Sequence, residues 1–383
     1  MHTHTLVLHQ RFSNTRRWAI AMVAVLALTL GVVFAVQAAP LNCSGGPTTR
    51  TLDLWARTGT LALADGTVVN IYGYAANNTD PARLPGPTLK ACAGDTVNVA
   101  LHNVDLPSAS SLAVHGQTGL PADMVGVTAG NSKTYVFTAH AGTFVYQAGL
   151  TVDGPTQAAL GLYGALVVYP TTAGQAYGTA ATAYNDESLV LLSEIDPALN
   201  GVVPAPISTT FEMHDYAPKY WLINGKVFSS TNPISSTDPI QAPANDKVLL
   251  RYANAGFLEH SMGMLGLDQT IIAANGYLLP YSHGVVAETV PPGSTLDAIM
   301  IMPASGTYPL YDANQHIDNN GASGFGGMFT LVSPGTSLGI NAAASVAPAG
   351  VISTVDNPPA VNIAPKPVDN SQSGKSIIVP PAQ

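Results

Sequence analysis

The stretch Gly94-Asp95-Thr96-Val97-Asn98-Val99-Ala100-Leu101-His102-Asn103 decides the fold class. It opens on a turn pair and then alternates. Val97, Val99 and Leu101 share one face, and Thr96, Asn98, Ala100 and His102 share the other. A repeat of two is the signature of a half-buried β-strand. The same opening returns as Asn245-Asp246-Lys247-Val248. Further matches follow in the same order: Ser132-Lys133-Thr134 with Gly293-Ser294-Thr295, Ala141-Gly142-Thr143-Phe144 with Ser305-Gly306-Thr307-Tyr308, and Tyr163-Gly164-Ala165-Leu166 with Gly326-Gly327-Met328-Phe329. The separation drifts from roughly 150 to 165 residues, as loop insertions within a duplicated unit produce.

Other short segments rich in Val, Ile, Tyr and Thr surround these, with turns between them. They are Thr51–Ala56, Thr67–Tyr74, Thr134–Thr138, Thr143–Gln147 and Gly164–Tyr169 in the first unit. The second unit has Ser188–Ser193, Tyr220–Ile223, Lys247–Asn254, Thr270–Ala273, Thr295–Met302, Thr307–Tyr311 and Met328–Val332. No long stretch has helical periodicity. The expectation is an all-β protein of two tandem antiparallel sandwiches or Greek-key barrels, at 45–172 and 183–335, joined by Thr171–Ala183. From about Gly335 the chain turns to Ala, Pro, Ser and Asn. This predicts a disordered or flexible tail over 336–383.

Composition narrows the function. Charged residues are 10% of the 383, against about 25% in a typical soluble domain. Net charge is −9 and no basic stripe exists, so nucleic acid is excluded as a partner. Gly and Pro, 36 and 29 residues, punctuate many short elements and argue against a coiled coil. The amino terminus reads as an export signal. Arg11, Arg16 and Arg17 precede an apolar run from Trp18 to Val36, and small residues follow near Ala38. That predicts a signal peptide over 1–38 and a secreted or periplasmic protein. An uncleaved run would be a membrane tether. The two cysteines, Cys43 and Cys92, cannot build a zinc or iron–sulfur site. In an exported protein they form one disulfide; otherwise they are two thiols.

Several segments together resemble the multicopper oxidase family, which is built from plastocyanin-like (cupredoxin) domains. They are Leu84-Pro85-Gly86-Pro87-Thr88-Leu89, Leu112-Ala113-Val114-His115-Gly116, Gly142-Thr143-Phe144-Val145-Tyr146-Gln147, Leu222-Ile223-Asn224-Gly225-Lys226, His260-Ser261-Met262-Gly263-Met264-Leu265-Gly266 and Val290-Pro291-Pro292-Gly293-Ser294. The resemblance spans about 80–335 and implies two cupredoxin-like Greek-key β-sandwiches. It also implies copper: a type 1 ion on two His and a Cys, and a trinuclear centre on four His-x-His pairs. Here the pairs fall on Ala113 and His115, on Gln147 and Gly149, and on Gly263 and Leu265, and the His-Cys-His string falls near Tyr311, Asp312 and Ala313. The type 1 thiolate is missing. His260 occupies the first type 1 His position, and His316 lies one residue out of register with the last. Of ten histidines, seven follow the expected cleavage site: His102, His115, His140, His214, His260, His283 and His316. They cannot fill the family's set. The resemblance to two-domain members further implies a homotrimer with sites between chains, in which His115 of one chain approaches His260 or His316 of the next.

Two function classes follow. One is a non-catalytic binding or structural protein on a cupredoxin scaffold, with no catalytic residues. The other is a copper-binding protein or oxidoreductase with a reduced site of His115, His260, Met262, Met264 and His316, because imidazole and thioether suit copper. The competing reading of the methionines is core packing. Asp312, Asn314, Asp318 and Asn319 are oxygen donors but lack the calcium-loop spacing, so a solvated loop is expected. Glu187, Glu212, His214 and Asp215 match no acid–base spacing, and no nucleophile motif accompanies them.

Overall fold

The computed structural model describes residues 41–203, 211–231, 236–318 and 324–336. The expected signal segment and the tail beyond Thr336 lie outside the described residues. The first half carries β1 (Thr49–Ala62), β2 (Val68–Ala75), β3 (Leu89–Cys92), β4 (Thr96–Asn103), β5 (Leu112–Val114), β6 (Asn131–Thr138), β7 (Gly142–Ala148) and β8 (Tyr163–Tyr169). The second carries β9 (Asp186–Ile195), β10 (Tyr220–Ile223), β11 (Ile240–Ala242), β12 (Lys247–Asn254), β13 (His260–Met264), β14 (Gln269–Ala274), β15 (Tyr277–Val285), β16 (Ala287–Val290), β17 (Thr295–Ile301), β18 (Tyr308–Asp312) and β19 (Phe329–Pro334).

These strands make four sheets, ordered β2-β1-β4-β6, β3-β8-β7-β5, β10-β9-β12-β17-β14-β15 and β11-β19-β18-β13-β16. The duplication is visible in the pairing. β1 runs parallel to β4 as β9 does to β12. β3 runs parallel to β8 as β11 does to β19. The opening turns also match. Gly94 and Asn245 both take positive φ, 87° and 70°, a conformation that Gly and Asn tolerate best. Gly94 N donates to Ala139 O and Ala139 N returns to Asp95 O. Asn245 N donates to Met302 O and Met302 N returns to Asp246 O. β14, β15 and β16 have no counterpart in the first half. Their insertion between β13 and β17 accounts for the drift in repeat spacing.

Three apolar layers hold the sheets together. Leu54, Tyr72, Val99, Leu101 and Phe144 fill the space between the first two sheets. Val190, Leu250, Met262, Met264, Met300 and Met328 fill the space between the last two. The middle layer, with Val145, Tyr163, Val167, Leu189, Leu191 and Leu222, joins the two sandwiches. β8 is therefore buried along its whole length, which explains its unbroken apolar run, Tyr-Gly-Ala-Leu-Val-Val-Tyr. One ionic cluster also sits at this seam. Arg251 Nε donates to Glu187 Oε2 at 2.8 Å, and Arg251 Nη1 to Thr143 Oγ1 of β7 at 3.0 Å. Thr143 Oγ1 donates onward to Asp297 Oδ1. Burial disfavours the guanidinium charge, but Glu187 and Asp297 outweigh it and raise its pKa.

Sequence patterning missed β3, β5, β11, β13, β15 and β16. Most are three to five residues long, too short to establish a period. β15 lies at a sheet edge with nearly every residue exposed, so it does not alternate. Among the described residues no helix is long and apolar enough to cross a membrane.

Candidate metal centre

The second sandwich gathers the titratable residues. β13 places His260, β18 places Asp312, and the turn after β18 returns His316 to the same carboxylate. His260 Nδ1 and His316 Nδ1 each lie 2.7 Å from Asp312 Oδ2. Asp312 Oδ1 accepts the amides of Ser261 at 2.9 Å and Asn314 at 3.0 Å. His316 stacks on Trp221 of β10 at 3.8 Å. The carboxylate that joins the two imidazoles thus stands at the position where the family resemblance implies a Cys.

A fourth group enters from the other sheet. Glu194 of β9 puts Oε2 3.3 Å from His260 Nε2, and its Oε1 accepts the amides of Phe257 and Leu258. A Cβ at position 256 would lie 1.9 Å from Glu194 Oε2. Gly256 is what lets this carboxylate reach the ring. Sequence patterning did not find Glu194. It is the penultimate residue of a largely apolar strand, and its partners are more than sixty residues away in the chain. Asp312 is legible in the sequence as an oxygen donor and as part of the triplet that falls near the family's His-Cys-His string.

The side chains of His260, Asp312 and Glu194 have no solvent exposure. Burial alone would strip the charge from His260. The hydrogen bonds it donates to Asp312 and Glu194 overcome that and raise its pKa to about 9. Burial also works against the Asp312 carboxylate. Its bonds from His260, the Asn314 amide and His316 prevail, and its pKa is lowered.

These residues do not fit the family's copper. An ionised carboxylate only accepts hydrogen bonds, so with Asp312 and Glu194 both ionised a ring bonded to both would donate from both nitrogens and keep no lone pair for a metal. A metal bound at about 2.0–2.2 Å holds two donor atoms about 2.9 Å or more apart at right angles. The 2.7 Å separations here are hydrogen-bond distances. No thiolate is available either, because Cys43 and Cys92 form a disulfide with Cα atoms 5.5 Å apart.

The other sequence candidates lie apart. Met262 and Met264 are packed in the apolar layer of the second sandwich with Met300 and Met302. His115 is not in the Asp312 cluster. It borders a cleft of about 360 Å³ at the seam, with Val145, Asn275, Gly293 and Ser294. Burial lowers the pKa of His115, as it does that of His140, whose buried Nε2 has no hydrogen-bond partner. The His260 side chain has no solvent exposure within this chain. The side chain of His316 is 23% exposed. Glu187 belongs to the Arg251 cluster, and His214 and Asp215 pair on an exposed turn.

The sandwich pair and the altered His-Cys-His position point to the same class as the comparisons with known proteins. A family model described as multicopper oxidase matches residues 75–173. Laccase-25 of Oryza sativa subsp. japonica is 30% identical over 259 residues, covering 58% of this chain and 39% of that protein. Laccase-6 of the same subspecies is 31% identical over 241 residues, covering 58% and 39%. The chain therefore spans about two fifths of the length of the curated laccases it matches. Among solved structures, the blue copper oxidase from Nitrosomonas europaea aligns with a TM-score of 0.63 at 22% identity, covering 75% of this chain and 86% of that one. The copper nitrite reductase from the same organism aligns at 0.61 and 19%, covering 75% and 94%. The structural likeness shows the cupredoxin-type fold. The sequence matches show a likeness to multicopper oxidases that a family model places on residues 75–173.

Proposed function

We propose that this is an exported multicopper-oxidase-like protein with a degenerate copper centre, serving as a non-catalytic binding or structural protein on the cupredoxin scaffold. The observation that carries this reading is the lack of an open donor set. His260 spends both nitrogens on carboxylates, and neither cysteine is a free thiolate. A two-histidine, one-thiolate copper site needs all three. The alternative, a copper-binding protein or oxidoreductase with a reduced His/Met site, is weakened because Met262 and Met264 are core residues. Export is supported by the basic-then-apolar amino terminus and by the Cys43–Cys92 bond, which suits an oxidising compartment. Homotrimer assembly is a separate proposal, checked by sedimentation. Fold by itself does not carry activity, so the test is chemical. Protein exposed to copper and desalted is analysed for metal, for visible and EPR spectra, and for dioxygen uptake with an electron donor. Copper well below one per chain, with no blue band and no uptake, is expected. Several coppers per chain with a blue band would overturn the proposal.

A further inference from the structure

We propose that a proton stands where the family places a metal ion: His260, bonded through Nδ1 to Asp312 and through Nε2 to Glu194, is itself the cation of the centre and closes it to copper. This inference rests on the degenerate-centre reading above.

The charge balance requires a cation. Glu194 and Asp312 are two carboxylates without solvent exposure, and burying anions without a counter-charge is strongly unfavourable. In a metal site the ion supplies that charge. Here the ring between the two carboxylates does so. Arg251, fully buried, is committed to Glu187 and Asp297 at the seam.

The donors that face the ring are already engaged, which leaves His316 Nε2 without the second imidazole and the thiolate that the family's copper needs. Asp312 Oδ1 is taken by two amides and Oδ2 by two imidazoles. Glu194 Oε1 is taken by the Phe257 and Leu258 amides, and Oε2 by His260. The groups facing the ring are Glu194 from β9, Asp312 from β18, His316 from the turn that follows, and the edge of Trp221 from β10 at 6.2 Å.

The arrangement is also built for this purpose. Gly256 leaves the space that Glu194 Oε2 occupies. β9 belongs to one sheet of the second sandwich, and β13 and β18 to the other. The imidazolium therefore fastens the two sheets through one small cation, which is the mechanical role metal ligands otherwise play. It needs no open coordination position, so it brings no redox chemistry with it.

The test uses the full chain, labelled with ¹⁵N-histidine, at neutral pH. Resonances of His260 are assigned by their loss in His260→Gln. Both ring nitrogens of His260 are expected to carry protons, and to keep them when one equivalent of Zn²⁺ is added as a diamagnetic probe. A single N–H, or loss of either N–H on adding Zn²⁺, would overturn the proposal. A second measurement compares Cu²⁺ affinity by equilibrium dialysis. The double substitution Glu194→Gln with Asp312→Cys opens one ring nitrogen and restores a thiolate. It should bind copper at least about tenfold more tightly than the natural chain, since such supporting partners change metal affinity by about 10–100-fold. Equal affinity in a folded variant counts against the proposal; if the variant does not fold, the natural chain's spectrum decides. Copper bound while His260 stays doubly protonated would sink the non-copper reading of function and leave this inference intact. A singly protonated His260 in a chain that binds no copper would do the reverse.

Discussion

His260 and His140 show how the same side chain takes opposite states within one molecule. His260 is fully enclosed and yet cationic, because Asp312 and Glu194 face its two nitrogens. His140 is less enclosed and neutral, because its Nε2 finds no partner and its ring lies beside Phe144 and Tyr277. His115, at the same seam, follows His140. Burial pushes all three toward the neutral ring, and only the carboxylates reverse it. A histidine count therefore says little about copper until the partners of each ring are known.

The largest effect should come from removing the shared acceptor. Asp312→Ala leaves His260 and His316 without their carboxylate and two amides unpaired, so denaturant unfolding should show a loss of about 3–5 kcal/mol, the usual cost of breaking a buried pair. A loss under about 1 kcal/mol would mean the two regions differ less than their geometry implies.

pH probes the same contrast. The His260 pKa is raised from 6.5 to about 9. Its contribution is full below about pH 6.5 and disappears as pH rises through about 9, which amounts to about 3 kcal/mol. The lowered pKa values of His115 and His140 act in the other direction. Their contribution holds above about 6.5 and is lost as pH falls below it. Unfolding curves collected across this range should fall at the alkaline side, and Glu194→Gln should flatten that limb.

Smaller changes sharpen the comparison. His140→Phe removes an orphaned nitrogen while keeping a ring, and should leave stability unchanged or raise it by about 1 kcal/mol. The same change at His260 would strand two carboxylates. His115→Gln, at an open cleft, should move the unfolding midpoint least, within about 0.5 kcal/mol. That variant should also lose part of the acid-side limb.

Much of the fold could be read before any coordinates. Alternation at Val97, Val99 and Leu101 and the turn echo at Asn245-Asp246 identify strands and a duplicated unit, because both depend on neighbours in the chain. The drift in spacing even marks the β14–β16 insertion, although short or exposed strands carry no period of their own. The site was half legible. His260 and His316 follow from the family pattern, and the missing thiolate is evident at Asp312. Glu194 is different: its role depends on the side chain absent at Gly256 and on strand packing across a sandwich, and neither leaves a local trace. The methionines alternate along β13 and β17 as ligands on one face would, yet alternation is equally what a core demands, and the core took them.

The sheet β3-β8-β7-β5 has another consequence. Its two faces are both covered, by the first sandwich's apolar layer and by the middle layer, and Thr143 on β7 is bonded into the Arg251 cluster. Parting the sandwiches would expose a charged group that has no water to greet it until the whole seam opens. Among the described residues the two sandwiches therefore part only by uncovering the middle apolar layer and this charged cluster together.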